Sequence, residues 1–297
     1  MELRHLRYFI AVAEELHFGR AAARLHITQP SLSIQIRDLE RAVGVPLFAR
    51  AGRRVQLTDA GRSFLDGARL AIAQVETAIQ DARRAHRGEI GQLTLGFVGS
   101  AAYRVLPHLL RAFTNTHPDV TLRLSAMTTK EQLAALSERR IDLGLLRLPV
   151  DDAGLAWYVV AREPLMAVLP VHHPLATQAQ IPLGALAREP FILYPRADSP
   201  AIRDTIIALC HRAGFSPSIV QETGEMQTIV GLVAGGIGNA LVIAPEGYRG
   251  AGDVVFKALA GDDIPAWDMA LAWRSDSGES PVARAFLAAV TPMIPLS

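Results

Sequence analysis

Side chains that can hydrogen-bond to the edge of a nucleic-acid base occur close together in residues 28–37. The amide of Gln29 can form two hydrogen bonds with adenine, and the hydroxyl of Ser33 can contact several kinds of base. At 100° per residue, Ile34 and Arg37 lie on one outer face of a helix, and Ser33 flanks that face. Solvated helix faces usually carry the same kinds of residue, so this set alone leaves both interpretations open.

A second set of basic side chains follows at a glycine turn. Residues 47–58 form two short strand-like runs around Gly52, and Arg50, Arg53 and Arg54 stand near the turn. Arginines on such a β wing can hold DNA phosphates. A hairpin whose arginines serve only solubility is the alternative, and a helix-turn-helix directly before the hairpin would favour the wing.

The net charge is unevenly distributed along the 297 residues. Residues 1–88 contain 14 arginines, no lysine and 9 acidic residues, which gives a charge of +5, whereas residues 89–297 carry −4. A basic N-terminal part on an acidic remainder indicates a polyanion-binding module joined to a different domain. A chance fluctuation of a few charges is the alternative.

Three helices must position the candidate base-contacting residues. Apolar residues at helical spacing predict a first helix over 3–15 and a short second helix over 20–26, with Gly19 as its N-cap. Thr28 is a good N-cap for a third helix that ends near Gly44. Two helices joined by a short turn, the second of them amphipathic, form a helix-turn-helix.

A long helix is predicted over residues 59–88. Apolar residues repeat along it at alternating spacings of three and four, which is the pattern of a coiled-coil seam. The seam consists of Leu65, Ala68, Ile72, Val75 and Ile79. Such a narrow seam favours pairing with a second copy of the helix, and packing on the chain's own body is the alternative.

Residues 89–297 alternate between strand and helix patterns, which predicts a parallel α/β sheet with a ligand site at the strand ends. A second unit of this kind spans about 163–264, and the last strand and helix are expected to return to the first unit. The elements predicted in the first unit are strands over 92–98, 120–126 and 141–146 and helices over 105–117 and 129–139.

Three residues at the ends of these strands could bind an anion. Ser100 and Thr129 follow the first and second strands, and Arg147 ends the third. Hydroxyl and backbone N–H groups in such loops can hold a carboxylate, and an arginine can bind it through two hydrogen bonds. Helix capping by the two hydroxyls and a surface ion pair at Arg147 are the alternatives.

Enzymes and metal proteins have little support in the sequence. A single cysteine, Cys210, excludes an internal disulfide framework and a cysteine-based zinc finger. No nucleophile elbow surrounds Ser100, and the stretch 172–174 has no nearby acidic or cysteine partner and predicts an exposed turn. Glu222 and Glu225 are expected to be solvated or ion-paired. We therefore expect no catalytic residue, no metal and no cofactor.

No membrane-associated class is indicated. The N-terminus carries charges where a signal peptide would have an apolar core. The longest uncharged apolar stretch, 229–244, is short for a membrane span and contains a glycine turn. These features predict a cytoplasmic protein. A solute-binding transport component and an enzyme on the same α/β body remain the alternatives to a DNA-binding regulator.

The N-terminal motifs have a recognisable order. They are the run 21–36 (AAARLHITQPSLSIQI), Leu39-Glu40, Gly44, the run 47–50 (LFAR) and the run 57–61 (LTDAG). These motifs resemble the N-terminal domain of LysR-type bacterial transcriptional regulators. The resemblance implies a winged helix-turn-helix, a dimerising linker helix and a two-lobed effector domain like that of periplasmic binding proteins.

The family resemblance also implies roles for individual residues. Gln29, Pro30 and Ser33 would read bases, and Thr28, Arg50 and Arg53 would contact the DNA backbone. Two positions depart from the common pattern. Ile34 replaces a frequent arginine and can only touch a thymine methyl group. Gly19 replaces a frequent serine or threonine, so a phosphate contact there is not implied.

The body carries a second, less specific resemblance. Its motifs are Gly99-Ser100 and the runs 127–130, 141–147, 193–195 and 225–238. They are similar to the LysR-type subgroup that senses muconate, benzoate or chlorinated relatives in catechol degradation. In that subgroup an aromatic residue is common where Ile202 stands. The cleft residues implied by this resemblance are Gly99, Ser100, Thr129, Arg147, Pro200 and Ile202.

The predicted fold class is α/β with an N-terminal all-α winged helix-turn-helix. We expect a homodimer or homotetramer that binds double-stranded promoter DNA. We do not expect an enzyme. A small aromatic or dicarboxylate effector would make it activate catabolic genes through RNA polymerase. The predicted domains are the winged helix-turn-helix over 1–58, the linker helix over 59–88, lobe I over 89–162 completed by 265–297, and lobe II over 163–264.

Overall fold

The chain forms two compact units in the computed structural model, an N-terminal unit of residues 1–84 and a C-terminal unit of residues 85–297. The residues that the structure describes are 1–51, 54–245, 248, 252–261, 263–276 and 280–293.

The N-terminal unit packs three helices and a β hairpin around one apolar core. Phe9, Leu32, Leu39 and Leu47 are fully buried at its centre. Each such side chain contributes about 1.5–3 kcal/mol by leaving water. The elements are α1 (Leu3–Glu15), α2 (Phe18–Arg24), α3 (Gln29–Val43), β1 (Phe48–Ala51), β2 (Arg54–Leu57) and the first part of α4 (Asp59–Arg87).

Local capping sets the ends of these helices. Thr28 caps α3 as predicted, since its hydroxyl accepts the N–H of Ser31 at 3.4 Å, and Gly44 ends the helix in the left-handed conformation with φ 86°. The prediction that Gly19 caps α2 is wrong. The helix begins two residues earlier, at Phe18, and Nδ1 of His17 accepts the N–H groups of Gly19 at 3.1 Å and Arg20 at 3.3 Å. An unprotonated ring nitrogen supplies the acceptor that glycine lacks.

The long helix α4 packs closely on the wing. A Cβ added at Gly61 would lie 2.1 Å from the carbonyl oxygen of Leu47, so only glycine fits there. Further along α4, Ala68 is buried and Leu65 and Ile72 pack on the core of the same unit. These three predicted dimer contacts therefore serve the unit's own core, because the face that would form a seam is also the face that covers α1–α3.

The C-terminal unit is an α/β structure. Its elements begin with β3 (Gly91–Phe97), α5 (Val105–Thr116), β4 (Val120–Ala126), α6 (Thr129–Ser137), β5 (Leu143–Arg147) and β6 (Leu155–Pro170). They continue with β7 (Gln180–Ile181), β8 (Pro190–Leu193), α7 (Pro200–Arg212), β9 (Ser218–Glu222), α8 (Met226–Ala234), β10 (Asn239–Ile243), β11 (Val254–Leu259), β12 (Ala266–Arg274) and α9 (Pro281–Val290).

One long strand joins the two halves of this unit. The main path of the sheet runs β4-β3-β5-β12-β6-β10-β8-β9, and β11 also pairs with β6. The first half of β6 pairs with β12, and its second half pairs with β10 and β11. The strands β3, β4 and β5 are parallel as predicted, but β12 runs antiparallel to β5 and β6. The sheet is therefore parallel over the predicted strands β3, β4 and β5 and antiparallel at β12, where the chain returns to lobe I in the opposite direction.

Each half has its own apolar core. The core of lobe I contains Phe113 and Phe286, and the core of lobe II contains Phe191 and Ile229. The carboxyl ends of β3, β4 and β5 face the start of α8 and the end of β8, and the cleft described below lies at this place. Ligands of open α/β sheets bind at such strand ends.

Candidate functional site

The outer face of α3 carries most of the predicted base-contacting residues. Gln29 and Pro30 are exposed in its first turn, and Ser33 is half-buried one turn later. Ile34 is 47% exposed on the same face. Such a face offers an amide, a hydroxyl and a methyl-rich surface to the major groove, together with the exposed cap Thr28.

Arg37 adds a positive charge to this face. Its side chain is exposed and donates to the carbonyl oxygen of Ser33 at 3.4 Å, but it forms no ion pair among the described residues. Arg41, one turn further along, is instead paired with Asp38 at 2.9 Å. Arg37 is therefore the arginine of α3 that has no ion-pair partner among the described residues.

The wing follows α3 as an antiparallel hairpin. Phe48 lies opposite Leu57, and Arg50 lies opposite Val55. Arg53 lies outside the described residues, and so do the side chains of Arg50 and Arg54. Their predicted phosphate contacts remain sequence predictions.

The second half of the predicted seam differs from the first. Val75 is half-buried, and Ile79 is 45% exposed on α4. An apolar residue at this spacing that the unit does not cover is available to a second helix.

A cleft of about 560 Å³ lies between the two lobes of the C-terminal unit. Five of the six predicted effector residues line it, namely Gly99, Ser100, Thr129, Arg147 and Ile202. Pro200 does not line the cleft, and its predicted effector contact stays a sequence prediction. It occupies the exposed first position of α7, and the preceding Ser199 lines the cleft in its place.

Arg147 joins the predicted anion-binding residues. Its Nη2 donates to the hydroxyl of Ser100 at 3.0 Å, and its backbone N–H donates to the hydroxyl of Thr129 at 3.2 Å. The N-cap of α6 is Thr128, whose hydroxyl accepts the backbone N–H of Glu131, so the hydroxyl of Thr129 is not used for capping. The ends of β3, β4 and β5 thus bring three side chains to one point.

Glu163 is the ion-pair partner of Arg147, and the sequence analysis did not predict it. It forms a buried ion pair with Nη2 of Arg147, and the two side chains are only 9% and 4% exposed. The alternative of a surface ion pair at Arg147 is therefore wrong. Nη1 of the same guanidinium is buried and has no hydrogen-bond partner among the described residues. Buried donors without a partner are uncommon in folded proteins.

Gln132 fixes the geometry around this point. It is fully buried, and its Nε2 donates to the carbonyl oxygens of Met127 at 3.0 Å and Leu145 at 3.3 Å. These bonds tie α6 to the loop before it and to β5. A Cβ added at Gly144 would lie 2.9 Å from the amide oxygen, so the glycine makes room for the glutamine. In the sequence, the sign of this structural role is a glutamine on the otherwise apolar face of α6.

Two more cleft residues carry polar groups. Tyr194 follows β8, and burial raises the pKa of its hydroxyl, so the group stays protonated. Glu225 precedes α8 and is exposed. Both stand in the motifs of the body, but only the folded chain brings them opposite Ser100.

Residues considered for enzyme or metal chemistry have structural partners. Nε2 of His173 lies 2.9 Å from Glu189, and its Nδ1 accepts the N–H of Leu175 at 3.1 Å, so the expected exposed turn is wrong at His173. Burial raises the pKa of the Cys210 thiol to about 11, which keeps it protonated at neutral pH. Among the residues that the structure describes, no group of three or more potential ligands could hold a metal ion.

No helix in the described part of the chain is both long and apolar enough to cross a membrane.

Family models match both parts of the chain. Residues 3–62 match the bacterial regulatory helix-turn-helix protein model of the lysR family, and residues 86–293 match the LysR substrate binding domain model.

Curated relatives extend over nearly the whole chain. The transcriptional regulator YnfL of Escherichia coli is 43% identical over 287 residues, which are 96% of each protein. The Hca operon transcriptional activator HcaR of E. coli is 40% identical and covers 98% of this chain and 97% of its own. The regulator CatR of Pseudomonas putida is 41% identical and covers 87% of this chain and 88% of its own.

Solved structures agree with these relatives. CbnR, a LysR family transcriptional regulator, has a TM-score of 0.84 at 31% identity and covers 98% of this chain and 100% of its own. Full-length CbnR bound to its target DNA has a TM-score of 0.83 at 29% identity, with 98% of this chain and 99% of that one covered. The chain belongs to the LysR family and is a transcriptional regulator with an N-terminal DNA-binding domain.

Proposed function

We propose that this regulator binds a small carboxylate effector in the cleft between its lobes and changes transcription of catabolic genes in response. The observation that carries the proposal is Arg147 itself, which lines that cleft and whose buried Nη1 has no hydrogen-bond partner among the described residues. An unsatisfied charged donor is costly, at about 1–3 kcal/mol or more, unless a ligand completes it.

The cleft supplies both a polar and an apolar end for such a ligand. A carboxylate oxygen would accept from the guanidinium of Arg147 and from the hydroxyls of Ser100 and Thr129. Ile202 and Ile243 line the remaining wall and would pack on a ring or a short hydrocarbon chain. Benzoate and muconate are the probes that the resemblance of the body motifs suggests.

Effector binding can alter DNA binding only by favouring one arrangement of the lobes. The effector must bind the closed and open arrangements with different affinities, since equal binding shifts nothing. Activation is the direction we propose, and the similarity to HcaR, a transcriptional activator of the Hca operon, supports it. RNA polymerase would then be a partner on the promoter.

On DNA, we assign base contacts to Gln29, Pro30, Ser33 and Ile34. Thr28, Arg37 and the arginines of the wing (Arg50, Arg53 and Arg54) would contact phosphates. Val75 and Ile79 would join two copies, and two such dimers would form the tetramer. Promoter DNA places this activity in the cytoplasm.

A pair of arginines on one helix tests the DNA interface. The bound sequence is first obtained by selecting duplexes from a random pool with the wild-type protein. Arg37→Gln should weaken binding to selected and random duplexes alike and should reduce the salt slope by about 0.9, because one phosphate contact is lost. Arg41→Gln is the matched control, since Asp38 already neutralises that charge. Equal salt slopes for the two variants would remove Arg37 from the interface.

Base readout is tested at Gln29. Gln29→Ala should weaken the selected sequence by about 1–3 kcal/mol and leave random DNA nearly unaffected. Equal losses on both kinds of DNA would contradict a role in base recognition.

A further inference from the structure

The imidazole of His17 is held in place by its role as the N-cap of α2. Its Nδ1 accepts the backbone N–H groups of Gly19 at 3.1 Å and Arg20 at 3.3 Å. A ring nitrogen that accepts two N–H groups carries no hydrogen of its own, so the neutral ring has its hydrogen on Nε2. The cap therefore fixes the tautomer of His17 and makes Nε2 a hydrogen-bond donor.

This Nε2–H group is available to a ligand. His17 is exposed, and its Nε2 has no hydrogen-bond partner among the described residues. The backbone N–H groups that His17 caps are not available in the same way, because Nδ1 already accepts them. The donor at this end of α2 is thus a side chain and not the backbone of the helix.

The ring lies beside the amide of Gln29. A Cβ on Gly19 would lie 3.0 Å from Cε1 of His17 and 3.4 Å from Oε1 of Gln29. Since Cε1 and Nε2 are bonded in the ring, the donor of His17 and the amide of Gln29 flank the same glycine. A DNA strand that reaches the amide of Gln29 therefore also passes the imidazole.

The neighbouring arginine is held by α1. Nε of Arg20 donates to the carboxylate of Glu15 at 3.1 Å, and its Nη2 donates to the backbone oxygen of the same residue. The guanidinium is therefore engaged within the protein, whereas the Nε2–H of His17 meets solvent.

We propose that the Nε2–H of His17 donates a hydrogen bond to a DNA phosphate next to the base that Gln29 contacts. Phosphate oxygens accept hydrogen bonds from uncharged side chains as well as from arginines, and such contacts fix the register of a protein on DNA. The place of this contact rests on the proposed function, since it assumes that Gln29 reads a base. His17 would hold the start of α3 at that base without adding a charge.

A scan of the DNA backbone tests this contact with the whole chain and the selected duplex. Each phosphate is replaced in turn by an uncharged methylphosphonate. His17→Ser removes Nε2 and keeps a hydroxyl that can cap α2. This variant should bind the unmodified duplex about tenfold more weakly than the wild type. At one phosphate, the affinity lost on methylphosphonate substitution should be about tenfold smaller in His17→Ser, because the bond is already absent.

The salt dependence separates this contact from those of the arginines. A neutral donor releases no counterion, so the salt slope of His17→Ser should equal that of the wild type, unlike that of Arg37→Gln. A slope reduced by about 0.9 would mean that a charged ring binds the DNA, and it would overturn the inference. So would wild-type affinity in His17→Ser, or equal methylphosphonate losses in both proteins at every phosphate.

Two control variants separate the contact from folding. His17→Ala loses the cap as well as the donor, so it should melt at a lower temperature than His17→Ser. His172→Ser removes an exposed histidine of lobe II and should bind DNA as the wild type does. The methylphosphonate loss is a ratio within one protein, so a partly unfolded variant does not imitate its disappearance at one phosphate.

Failure of the proposed function gives a different result. If Gln29→Ala weakens selected and random duplexes equally, the base contact of Gln29 is wrong. A phosphate that pairs with His17 in the scan would then keep the contact and remove only its place next to that base. If Gln29→Ala weakens only the selected duplex and no phosphate pairs with His17, the proposed function stands and this inference is lost.

Discussion

Replacing Arg147 alone should destabilise the C-terminal unit more than replacing Arg147 and Glu163 together. The two side chains form an ion pair that is only 9% and 4% exposed. Arg147→Gln leaves the carboxylate of Glu163 buried without its cation, and breaking a buried pair in this way costs about 3–5 kcal/mol. The added change Glu163→Gln removes that stranded charge.

The cost of the double variant can be worked from the contacts that remain. Two neutral amides can replace the ion pair, and a net hydrogen bond contributes about 0.5–1.5 kcal/mol. Loss of the bond to Ser100 and imperfect geometry then cost about 1–2 kcal/mol. The double variant should therefore be about 2 kcal/mol more stable than Arg147→Gln. For a unit of this size, that difference raises the melting temperature by about 4–8 °C.

Intrinsic fluorescence is a suitable assay, because all three tryptophans, Trp157, Trp267 and Trp273, lie in the C-terminal unit. Thermal unfolding of the wild type, both single variants and the double variant completes a double-mutant cycle. DNA binding serves as the control for the N-terminal unit and should be unchanged. If Arg147→Gln and the double variant melted at the same temperature, the buried pair would not be the interaction that holds this end of the cleft.

Three further predictions follow from close contacts and one shifted pKa. Gly61→Ala should destabilise the N-terminal unit by about 3 kcal/mol or more, because its Cβ would meet a backbone oxygen. Gly67→Ala on the same helix is the control, since its Cβ meets nothing within 4 Å and should be neutral or stabilising. Equal hydrogen-exchange protection in the two variants would contradict this prediction. Gly99→Ala should leave the fold intact and lower benzoate affinity only slightly in calorimetry, because the atoms that its Cβ would meet are the movable side-chain ends of Gln227 and Glu225. Gly231→Ala, which meets nothing within 4 Å, should leave the affinity unchanged. A complete loss of binding in the first variant would show that these side chains cannot move aside. Hydrogen bonds from two arginines hold the pKa of Glu14 below its usual value, so the stability that this carboxylate contributes is complete above about pH 4.3 and is lost as the pH falls through the lowered pKa. Glu14→Gln should therefore reduce, by about 0.5–1 kcal/mol, the stability that the N-terminal unit loses on acidification, as measured by urea titrations read by hydrogen exchange. An unchanged loss of stability at low pH in this variant would count against the prediction.

Features set by local sequence were predictable. The cap at Thr28 and the left-handed glycine at Gly44 depend on residues within one turn, so the bounds of α3 agree closely with the prediction. The cap of α2 was missed because His17 is an uncommon capping residue, and its role depends on an unprotonated nitrogen. At the start of α7, a one-residue difference in position moved the cleft contact from Pro200 to Ser199.

Features set by pairing between distant segments were not predictable from one sequence. Arg147 and Glu163 meet because β5 and the middle of β6 both pair with β12, and no pattern within either strand shows this register. The seam of α4 illustrates a second difficulty. An apolar stripe has the same spacing whether it covers the unit's own core, as at Ala68, or meets a second helix, as proposed at Ile79.

The most direct test of the central claim is calorimetric titration of the wild-type protein and the Arg147→Gln, Glu163→Gln double variant with benzoate and muconate. We predict that at least one of these carboxylates binds the wild type with one site per chain, and that the double variant loses this binding while it keeps its affinity for DNA. Binding that survives in the double variant, or no binding of either compound to the wild type, would contradict the assignment of the cleft as a carboxylate sensor.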